Sequence, residues 1–281
     1  MGHKIALVTG ASSGIGESTA RHLHDAGFVV YGAARRVDRM AALAAAGLHT
    51  VALDVTDESS AEKVVADILA AHGRIDVLVN NAGYGSYGAL EDVPMSEARS
   101  QIEVNVFGLA NLTRAVLPAM RAQRSGTVIN ISSMGGRLAT PLGAWYHASK
   151  FAVEGLSDAL RLELRRFGID VVVIEPGLIR TEWGSIAARK LRATSGSGPY
   201  GDQAEAIAVS LDNGSRPDAP RTSPPDVVAR VVTRAATARR PRTRYVAGFG
   251  ARPLLITRRV LPDRAFDALI TRSSGLPTSH A

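Results

Sequence analysis

The amino-acid sequence predicts an α/β fold in which helices pack on both faces of a mostly parallel sheet. Apolar segments of strand length alternate with helical stretches through the first two-thirds of the chain. Three of these segments run into small or polar turns, and ligands of parallel sheets collect at the carboxyl ends of strands. With 281 residues, 46% of them hydrophobic, the chain can bury one large core. We therefore expect a single domain spanning residues 1–281.

Composition narrows the classes of protein to consider. No segment approaches the roughly 18 apolar residues of a membrane-spanning helix, and the first strand begins too early to leave room for a signal peptide. We expect a cytoplasmic protein without an integral membrane span. The absence of cysteine excludes disulfides and thiolate catalysis, and the seven histidines show no paired helical spacing beside an acid. We expect no metal site.

The net charge of +7 is concentrated in the last third of the chain. Residues 189–281 contain 16 Lys and Arg against 7 Asp and Glu, whereas residues 1–188 contain 17 against 19. Such a basic surface suits nucleic acid, a membrane surface or an acidic carrier of the substrate. No nucleic-acid-binding module accompanies the arginines, so a solvated surface is the preferred interpretation and no nucleic-acid partner is expected.

The first predicted strand, residues 4–8, leads into a glycine-rich turn and then a helix. Glycines at such a turn let the backbone approach a pyrophosphate, whose charge meets the positive end of the helix. The spacing departs from Gly-x-Gly-x-x-Gly, because three residues and then one separate the glycines. A plain tight turn is the alternative, but the strand before and the helix after favour a dinucleotide site. The predicted contacts are Gly10, Ser12, Ser13, Gly14, Ile15 and Gly16.

The end of the second predicted strand, residues 28–33, distinguishes NAD(H) from NADP(H). An acid here would accept hydrogen bonds from the ribose 2′-hydroxyl, whereas a 2′-phosphate requires a cation. The sequence has Ala34 where the acid would stand, followed by Arg35 and Arg36. We therefore expect NADP(H) to be favoured over NAD(H). The alternative is that both arginines merely face water.

Two further predicted strands end in polar residues. The strand at residues 50–53 leads into Asp54 and Val55, which we expect to contact the adenine of the cofactor. Asp54 either binds the adenine amino group or caps the next turn. The strand at residues 75–79 leads into Asn80 and then into the predicted contacts Asn81, Ala82 and Gly83. Because the carboxyl ends of parallel strands share one edge, these turns predict a common crevice.

The heptapeptide from Ala144 to Lys150 predicts the chemistry. As the start of a helix, it places Tyr146 and Lys150 four residues apart on one face. A free phenol has a pKa of about 10, and a neighbouring cation favours the phenolate, which makes Tyr146 a candidate general acid/base. Taken alone, such a pair is more typical of the exposed face of an amphipathic helix.

Four segments, in this order and spacing, resemble the short-chain dehydrogenase/reductase family. They are Thr9-Gly-x-x-x-Gly-x-Gly16, Asn80-Asn-Ala-Gly83, Tyr146-x-x-x-Lys150 and Pro176-Gly177. The resemblance covers about residues 4–181. It implies a doubly wound, seven-stranded Rossmann-type sheet and an enzyme that transfers a hydride between NAD(P) and an alcohol or carbonyl carbon.

The resemblance also implies roles for single residues. Ser133, thirteen residues before Tyr146, would donate to the substrate oxygen, with Ser132 as the alternative. Lys150 would lower the pKa of the Tyr146 phenol and bind the nicotinamide ribose. Asn105 matches the family asparagine that holds a water between Lys150 and solvent.

A strand predicted at residues 170–174 precedes the segment that resembles the nicotinamide-binding part of the family. Pro176 and Gly177 follow this strand, and Ile179 and Thr181 would contact the carboxamide. A simple Pro-Gly turn is the alternative.

Beyond Thr181 the resemblance weakens and the predictions rest on pattern. Residues 182–225 suit a lid over the substrate, with helical stretches interrupted at 195–199 and a loop at 213–225. Residues 226–238 are predicted as a helix after a capping Asp226, and residues 244–247 as the last strand. In the C-terminal extension, 250–281, two short amphipathic helices separated by Pro262 could close the pocket, contact another subunit or touch a membrane surface.

Within the family, the segments around Asn105, Ser133 and Lys150 most resemble hydroxysteroid and retinol dehydrogenases. This likeness implies a bulky apolar substrate, such as a steroid, a retinoid or an aromatic ketone. Reduction of a β-ketoacyl thioester is one alternative. A non-catalytic NADP-binding sensor is another, although binding alone requires no Ser–Tyr–Lys set. Family dimer interfaces imply a homodimer or homotetramer.

Overall fold

The computed structural model describes residues 3–274 and contains a sheet of seven strands. In chain order the strands are β1 Ile5–Thr9, β2 Val29–Ala34, β3 His49–Ala52, β4 Val77–Asn80, β5 Gly126–Ile131, β6 Ile169–Pro176 and β7 Arg244–Ala247. Their spatial order is β3, β2, β1, β4, β5, β6, β7, and every adjacent pair is parallel. The predicted doubly wound α/β fold is confirmed.

Helices connect the strands and continue after the last one. They are α1 Gly14–Asp25, α2 Ala41–Ala45, α3 Glu58–His72, α4 Met95–Ile102, α5 Gly108–Gln123, α6 Ala144–Leu164, α7 Glu182–Ser195, α8 Gly201–Ser215, α9 Asp226–Thr237, α10 Ala251–Val260 and α11 Asp263–Ser273. Within residues 3–274, no helix is both long enough and apolar enough to cross a membrane.

The strands are apolar on both sides because helices cover both faces of the sheet. Along β1, Ala6 and Val8 belong to a core shared with α1 and α9, whereas Ile5 and Leu7 belong to a core shared with α3 and α5. This alternation follows the two-residue period of a strand. Burial on both faces explains why β1 is a continuous apolar run in the sequence.

The chain order reverses between β1 and β4, which are neighbours in the sheet. From β1 the chain winds outward to β2 and β3, and then returns to build β4 through β7 on the other side. At such a reversal the connections leave in opposite directions and open a crevice at the carboxyl ends of the strands. The glycine-rich turn after β1 lies at this point.

Two predicted boundaries after Thr181 are wrong. The loop expected at 213–225 starts later, because α8 continues through Ser215 and ends before Pro217, which cannot extend a helix. Asp226 does not cap α9; it is the first residue of that helix, after Pro225, and its carboxylate accepts a hydrogen bond from the Ser18 hydroxyl at 2.5 Å. The break between α7 and α8 is as predicted.

The C-terminal extension forms the two helices expected on either side of Pro262, α10 and α11. Phe266 and Ile270 of α11 are buried against Leu138, which follows the Ser133 turn in the chain. Residues 275–281 of the predicted extension lie outside the described residues. The assignment of residues 182–225 to a lid, and of 1–281 to one domain, stays a prediction.

Candidate active site

The turns after β1 and β4 are tied together by Thr9 and Asn81. The Thr9 hydroxyl accepts hydrogen bonds from the backbone N–H groups of Asn81 and Ala82, each at 3.0 Å. The Asn81 side chain donates in return to the carbonyl oxygen of Thr9 at 3.0 Å. Asn81 therefore braces the dinucleotide turn from the neighbouring strand, and its predicted contact with the cofactor stays a prediction.

The glycine-rich turn has the backbone shape that a pyrophosphate needs. Gly10 and Gly14 have φ values of +66° and +56°, in the region that favours glycine. A β-carbon at Gly16 would lie 2.2 Å from the Gly10 carbonyl oxygen, so only glycine fits there. Ser12 and Ser13 are half-buried in the turn, and Ile15 packs against the core from the first turn of α1.

The N-terminus of α1 is left open toward this turn. Ser13 precedes the helix, but its side chain forms no capping hydrogen bond within the described residues. The first backbone N–H groups of a helix have no partner inside the helix, and they attract anions. The residues of the turn therefore fit the pyrophosphate of a dinucleotide.

Arginines follow the end of β2, where the ribose of a dinucleotide would lie. Arg35 and Arg36 are exposed, and their contact with a 2′-phosphate stays a prediction beside the alternative that they face water. A third one, Arg39, was missed from the sequence: its guanidinium donates two hydrogen bonds to the Glu182 carboxylate, at 2.8 and 3.1 Å. This ion pair joins the segment after β2 to the first turn of α7. Arg39 and Glu182 are 143 positions apart in the sequence, so no local pattern indicates their contact.

Asp54 and Val55 lie at the turn after β3. One Asp54 carboxylate oxygen accepts hydrogen bonds from the Thr56 backbone N–H at 3.0 Å and from its hydroxyl at 2.8 Å. Asp54 therefore caps the turn, which is one of the two roles predicted for it. The Val55 carbonyl accepts from Asn111 at 3.2 Å. Contacts of both residues with adenine stay predictions.

Tyr146 and Lys150 lie on α6 and are only 8% exposed each. The alternative of a surface pair is therefore wrong. The Lys150 ammonium donates to the Ile131 carbonyl at 2.9 Å. Burial lowers the pKa of Lys150 to about 8. The negative charge of Glu154 acts in the other direction and raises this pKa. The expected lowering of the Tyr146 pKa by Lys150 is wrong: burial raises this pKa, and the interaction that opposes the rise comes from Ser133.

Ser133 and its neighbour Ser132 have different surroundings. Ser133 precedes a single 3-10 turn, Met134–Gly136, and its hydroxyl accepts from the Gly135 N–H at 3.0 Å while interacting with Tyr146. The Ser132 hydroxyl is buried beside Gly136, without a hydrogen-bond partner among the described residues. The geometry therefore favours Ser133 as the serine that faces the phenol.

Asn105 lies on a π-helical turn, Glu103–Phe107, between α4 and α5. Such turns are rare and often mark functional sites. The Asn105 amide accepts from the Tyr84 N–H at 3.0 Å and donates to the Tyr84 carbonyl at 2.9 Å and to the Ser149 hydroxyl at 3.0 Å. Asn105 thus connects α6 to the loop after Gly83. Its predicted role in holding a water stays a prediction.

The segment after β6 returns toward the glycine-rich turn. Gly177 donates to the Ala247 carbonyl at 2.8 Å, and a β-carbon there would lie 2.2 Å from the Phe249 carbonyl oxygen. Thr181 caps α7, and its methyl group lies 3.0 Å from where a β-carbon of Gly14 would stand. Pro176 ends β6 and Ile179 is partly buried in the core. Thr181 therefore borders the glycine-rich turn, and the contacts of all four residues with the nicotinamide stay predictions.

Aromatic rings surround Tyr146 on the side of α7. The ring centres of Tyr87 and Trp183 lie 5.7 and 5.2 Å from that of Tyr146, and the Tyr87 and Trp183 rings lie 5.9 Å apart. Both residues were missed from the sequence, although Trp183 follows the predicted Thr181 by two positions. They form an apolar wall beside the Tyr146 phenol. Within residues 3–274, no group of three or more His, Asp or Glu side chains is arranged to hold a metal ion.

Comparisons with known proteins identify the family of this chain. A sequence model of the short chain dehydrogenase family matches residues 4–190. A 3-ketodihydrosphingosine reductase from Bacteroides thetaiotaomicron is 44% identical over 178 residues. The match covers 63% of this chain and 65% of the reductase, so this chain spans slightly less than two thirds of that relative's length. An NADPH-dependent 3-dehydrocapnine reductase from Ornithobacterium rhinotracheale is 36% identical over 277 residues, 95% of each chain.

A solved structure extends the likeness to three dimensions. A short-chain dehydrogenase from Streptomyces avermitilis, 36% identical, matches 91% of this chain and 92% of its own with a TM-score of 0.79. The chain belongs to the short-chain dehydrogenase family. It is an NAD(P)-dependent oxidoreductase.

Proposed function

We propose that this protein is an NADP(H)-dependent reductase that interconverts a ketone and a secondary alcohol, with Tyr146 as the general acid/base. The observation that carries the proposal is the burial of Tyr146 and Lys150 one helical turn apart on α6, with Ser133 beside Tyr146 and Gly83 beside Lys150. An aldehyde and a primary alcohol would react at the same site. The functional group, rather than its substituents, determines this chemistry.

In the reduction, bound NADPH supplies the hydride that forms the new C–H bond. Tyr146 gives its phenolic proton to the substrate oxygen, so the carbonyl becomes an alcohol and the phenol becomes a phenolate. Burial raises the pKa of Tyr146, which keeps the phenol protonated before the reaction, as a general acid requires. Ser133 donates to the same oxygen, where negative charge develops. The Lys150 ammonium stabilises the phenolate until a proton returns from solvent.

NADP(H) is the preferred cofactor in this proposal because cations gather where a 2′-phosphate would lie. Ala34 supplies no carboxylate, and Arg35 and Arg36 follow it directly. The relative from Ornithobacterium, named for its NADPH dependence, supports the same preference. In Arg35→Ala, the KM for NADPH should rise while the KM for NADH stays unchanged. An equal rise for both cofactors would contradict the assignment.

The proposed substrate is a bulky apolar ketone. Tyr87 and Trp183 pack beside Tyr146, and Leu142 and Leu211 pack against the same cluster, so the surroundings of the phenol are apolar. The two relatives are named for the reduction of a 3-keto and a 3-dehydro compound, which supports a ketone as the reacting group. Steroid-like, retinoid-like and aromatic ketones all suit such a wall. The likeness to hydroxysteroid and retinol dehydrogenases belongs to this proposal.

A substrate panel tests the proposed function. NADPH oxidation would be followed with steroid ketones, long-chain aliphatic ketones, aromatic ketones, retinal and acetoacetyl thioesters. Turnover that grows with the apolar surface of the ketone is the expected result. Preference for the thioesters would favour the β-ketoacyl alternative. Tight NADPH binding with no turnover on any compound would favour the NADP-binding sensor and contradict the proposal.

We also infer a homodimer or homotetramer. Phe107, Phe151 and Leu162 are 53%, 48% and 73% exposed, and they lie on α6 or on the π-helical turn before α5. Exposed apolar side chains grouped on adjacent elements are typical of protein interfaces. Light scattering coupled to size-exclusion chromatography should give at least twice the mass of one chain. A monomer at micromolar concentration would contradict the inference.

A further inference from the structure

His147, next to Tyr146 on α6, is buried and fully hydrogen-bonded. It is 5% exposed. Its Nδ1 lies 2.9 Å from the Gly135 carbonyl oxygen, and its Nε2 accepts from the Thr140 backbone N–H at 3.0 Å. The Gly135 carbonyl only accepts and the Thr140 N–H only donates. Nδ1 therefore carries the proton and Nε2 is the acceptor, which is the neutral imidazole.

The two partners of His147 belong to two different parts of the site. Gly135 lies in the 3-10 turn that follows Ser133, and its N–H donates to the Ser133 hydroxyl at 3.0 Å. The Thr140 side chain interacts with the Tyr87 phenol, which belongs to the apolar wall beside Tyr146. A continuous set of polar contacts thus runs from the wall, through Thr140 and His147, to the turn of Ser133.

The imidazole is tightly enclosed as well as hydrogen-bonded. A β-carbon at Gly135 would lie 2.9 Å from Nδ1, and a β-carbon at Gly143 would lie 2.9 Å from Nε2. The loop therefore approaches both nitrogens closely because it has glycine at both places. A packed side chain with both polar atoms bound holds its neighbours in one geometry.

We propose that His147 is a positioning residue that holds the Ser133 turn and the Tyr87 wall in register with the Tyr146 phenol. This proposal rests on the proposed ketone reduction. The Gly135 contact sets where the Ser133 hydroxyl lies relative to the substrate oxygen. The Thr140 contact sets where the wall meets the body of the substrate. One side chain thereby couples the chemical step to substrate binding.

A second consequence concerns pH. Burial lowers the pKa of His147 below its ordinary value, and the Gly135 carbonyl opposes the change. The titratable groups whose rings face it are Tyr87 and Tyr146, both uncharged at neutral pH. Protonation of Nε2 would break its bond from the Thr140 N–H, and the new hydrogen would turn to the Thr140 hydroxyl, 2.9 Å from Nε2, which must then accept and move. The KM for the ketone should therefore rise at acid pH.

Two amide variants separate the two contacts. An Asn amide reaches the position of Nδ1, so His147→Asn retains the bond to Gly135 and loses that to Thr140. A Gln amide reaches the position of Nε2, so His147→Gln retains the Thr140 bond and loses that to Gly135. Neither amide titrates. Ser157→Ala, a change of a buried polar residue on the same helix, is the matched control for lost stability.

The expected results are opposite for the two variants. His147→Asn should raise the ketone KM about tenfold with little change in kcat, and His147→Gln should lower kcat about tenfold with little change in KM. Both should lose the acid rise of KM, and both should bind NADPH as the parent protein does. Ser157→Ala should change thermal stability but neither kinetic constant. Parallel losses in both variants, or an acid rise that persists, would overturn the proposal.

A measurement that needs no substrate distinguishes failure of this proposal from failure of the proposed function. Nitrogen NMR of the imidazole in the full-length protein should show a neutral ring with the proton on Nδ1 at neutral pH. A charged ring, or a proton on Nε2, would overturn the positioning role whatever the enzyme reduces. A correct tautomer in a protein that reduces no ketone would contradict the proposed function instead, and with it the kinetic role of His147.

Discussion

The Lys150 ammonium lies 2.9 Å from the carbonyl oxygen of Ile131, the last residue of β5. Ile131 is two residues before Ser133 in the chain. The cation and the proposed serine are therefore positioned by the same strand end. Because the ammonium is buried, its charge destabilises the folded protein. The same charge can stabilise a phenolate on Tyr146.

The buried charge of Lys150 predicts a trade between stability and activity. Its pKa falls to about 8 in the folded protein. The lysine has a higher pKa in the unfolded chain than in the folded protein, so the unfolded chain binds the proton first as the pH falls. The free energy of unfolding therefore decreases between the unfolded-chain pKa and about pH 8. Lys150→Met should therefore raise the free energy of unfolding at pH 7 by about 1–3 kcal/mol and abolish turnover. A less stable variant at pH 7 in denaturant titrations would contradict the assigned burial cost.

The same pKa predicts the alkaline limb of the pH profile. The kcat/KM for ketone reduction should fall above about pH 8, because the free enzyme then loses the Lys150 proton. Lys150→Arg, whose cation does not titrate in this range, should retain a flat profile through pH 9 at whatever activity it keeps. Stopped-flow or steady-state assays in overlapping buffers would measure both. An alkaline limb shared by the two proteins would assign it to another group.

Ser133 and Ser132 provide a neighbouring pair for comparison. Ser133→Ala should lower kcat about 100- to 1000-fold, because it removes a donor to the developing charge on the substrate oxygen. Ser132→Ala should leave kcat within about threefold, since its buried hydroxyl has no hydrogen-bond partner among the described residues. Steady-state kinetics with one ketone would compare them. The reverse order of effects would exchange the two assignments.

Gly16 tests the shape of the dinucleotide turn. Gly16→Ala would place a methyl group 2.2 Å from the Gly10 carbonyl oxygen, so the turn must open and NADPH affinity should fall at least about 100-fold. The control is Gly155→Ala on α6, where a β-carbon meets nothing within 4 Å. That variant should gain about 0.5–1 kcal/mol of stability and bind NADPH unchanged. Fluorescence titration and thermal unfolding distinguish them. Unchanged affinity in Gly16→Ala would contradict the turn as the binding site.

The ion pair of Arg39 and Glu182 should slow the release of NADPH, because it joins the segment after β2 to the start of α7. The side chains are 35% and 54% exposed, so the expected effect is small. Arg39→Ala and Glu182→Gln should each raise the dissociation rate about two- to fivefold, and the double variant no further. Lys63→Ala, which breaks an exposed pair on α3, is the control. Additive effects in the double variant would show that the residues act separately.

Local pattern was sufficient to predict the sheet and much of the site. The apolar run of β1, the glycines after it and the i, i+4 spacing of Tyr146 and Lys150 are each encoded within a few residues. The family resemblance supplied the doubly wound, seven-stranded sheet and the predicted roles of Ser133 and Asn105. The last strand, residues 244–247, was predicted with its observed bounds, whereas ends of the other predicted strands differed from those observed by one or two residues. Such ends depend on pairing with a neighbouring strand, which a single segment does not reveal.

The residues that sequence reasoning missed act through distant partners. His147 stood in the predicted heptapeptide, but its function depends on a loop that folds back to Gly135 and Thr140. Arg39 and Glu182 are 143 positions apart. Asp226 was predicted as a helix cap from its local position, whereas its carboxylate binds Ser18 on another helix. Periodicity and capping rules describe neighbours in the chain, so they do not predict contacts of this kind.

The measurement that tests the central claim most directly is the kinetics of Tyr146→Phe with NADPH and the best ketone of the panel. Phenylalanine keeps the ring among Tyr87 and Trp183 and removes only the hydroxyl. We predict that kcat falls by about 100- to 10,000-fold while the Kd for NADPH changes less than about twofold. Turnover near that of the parent protein would contradict Tyr146 as the general acid/base.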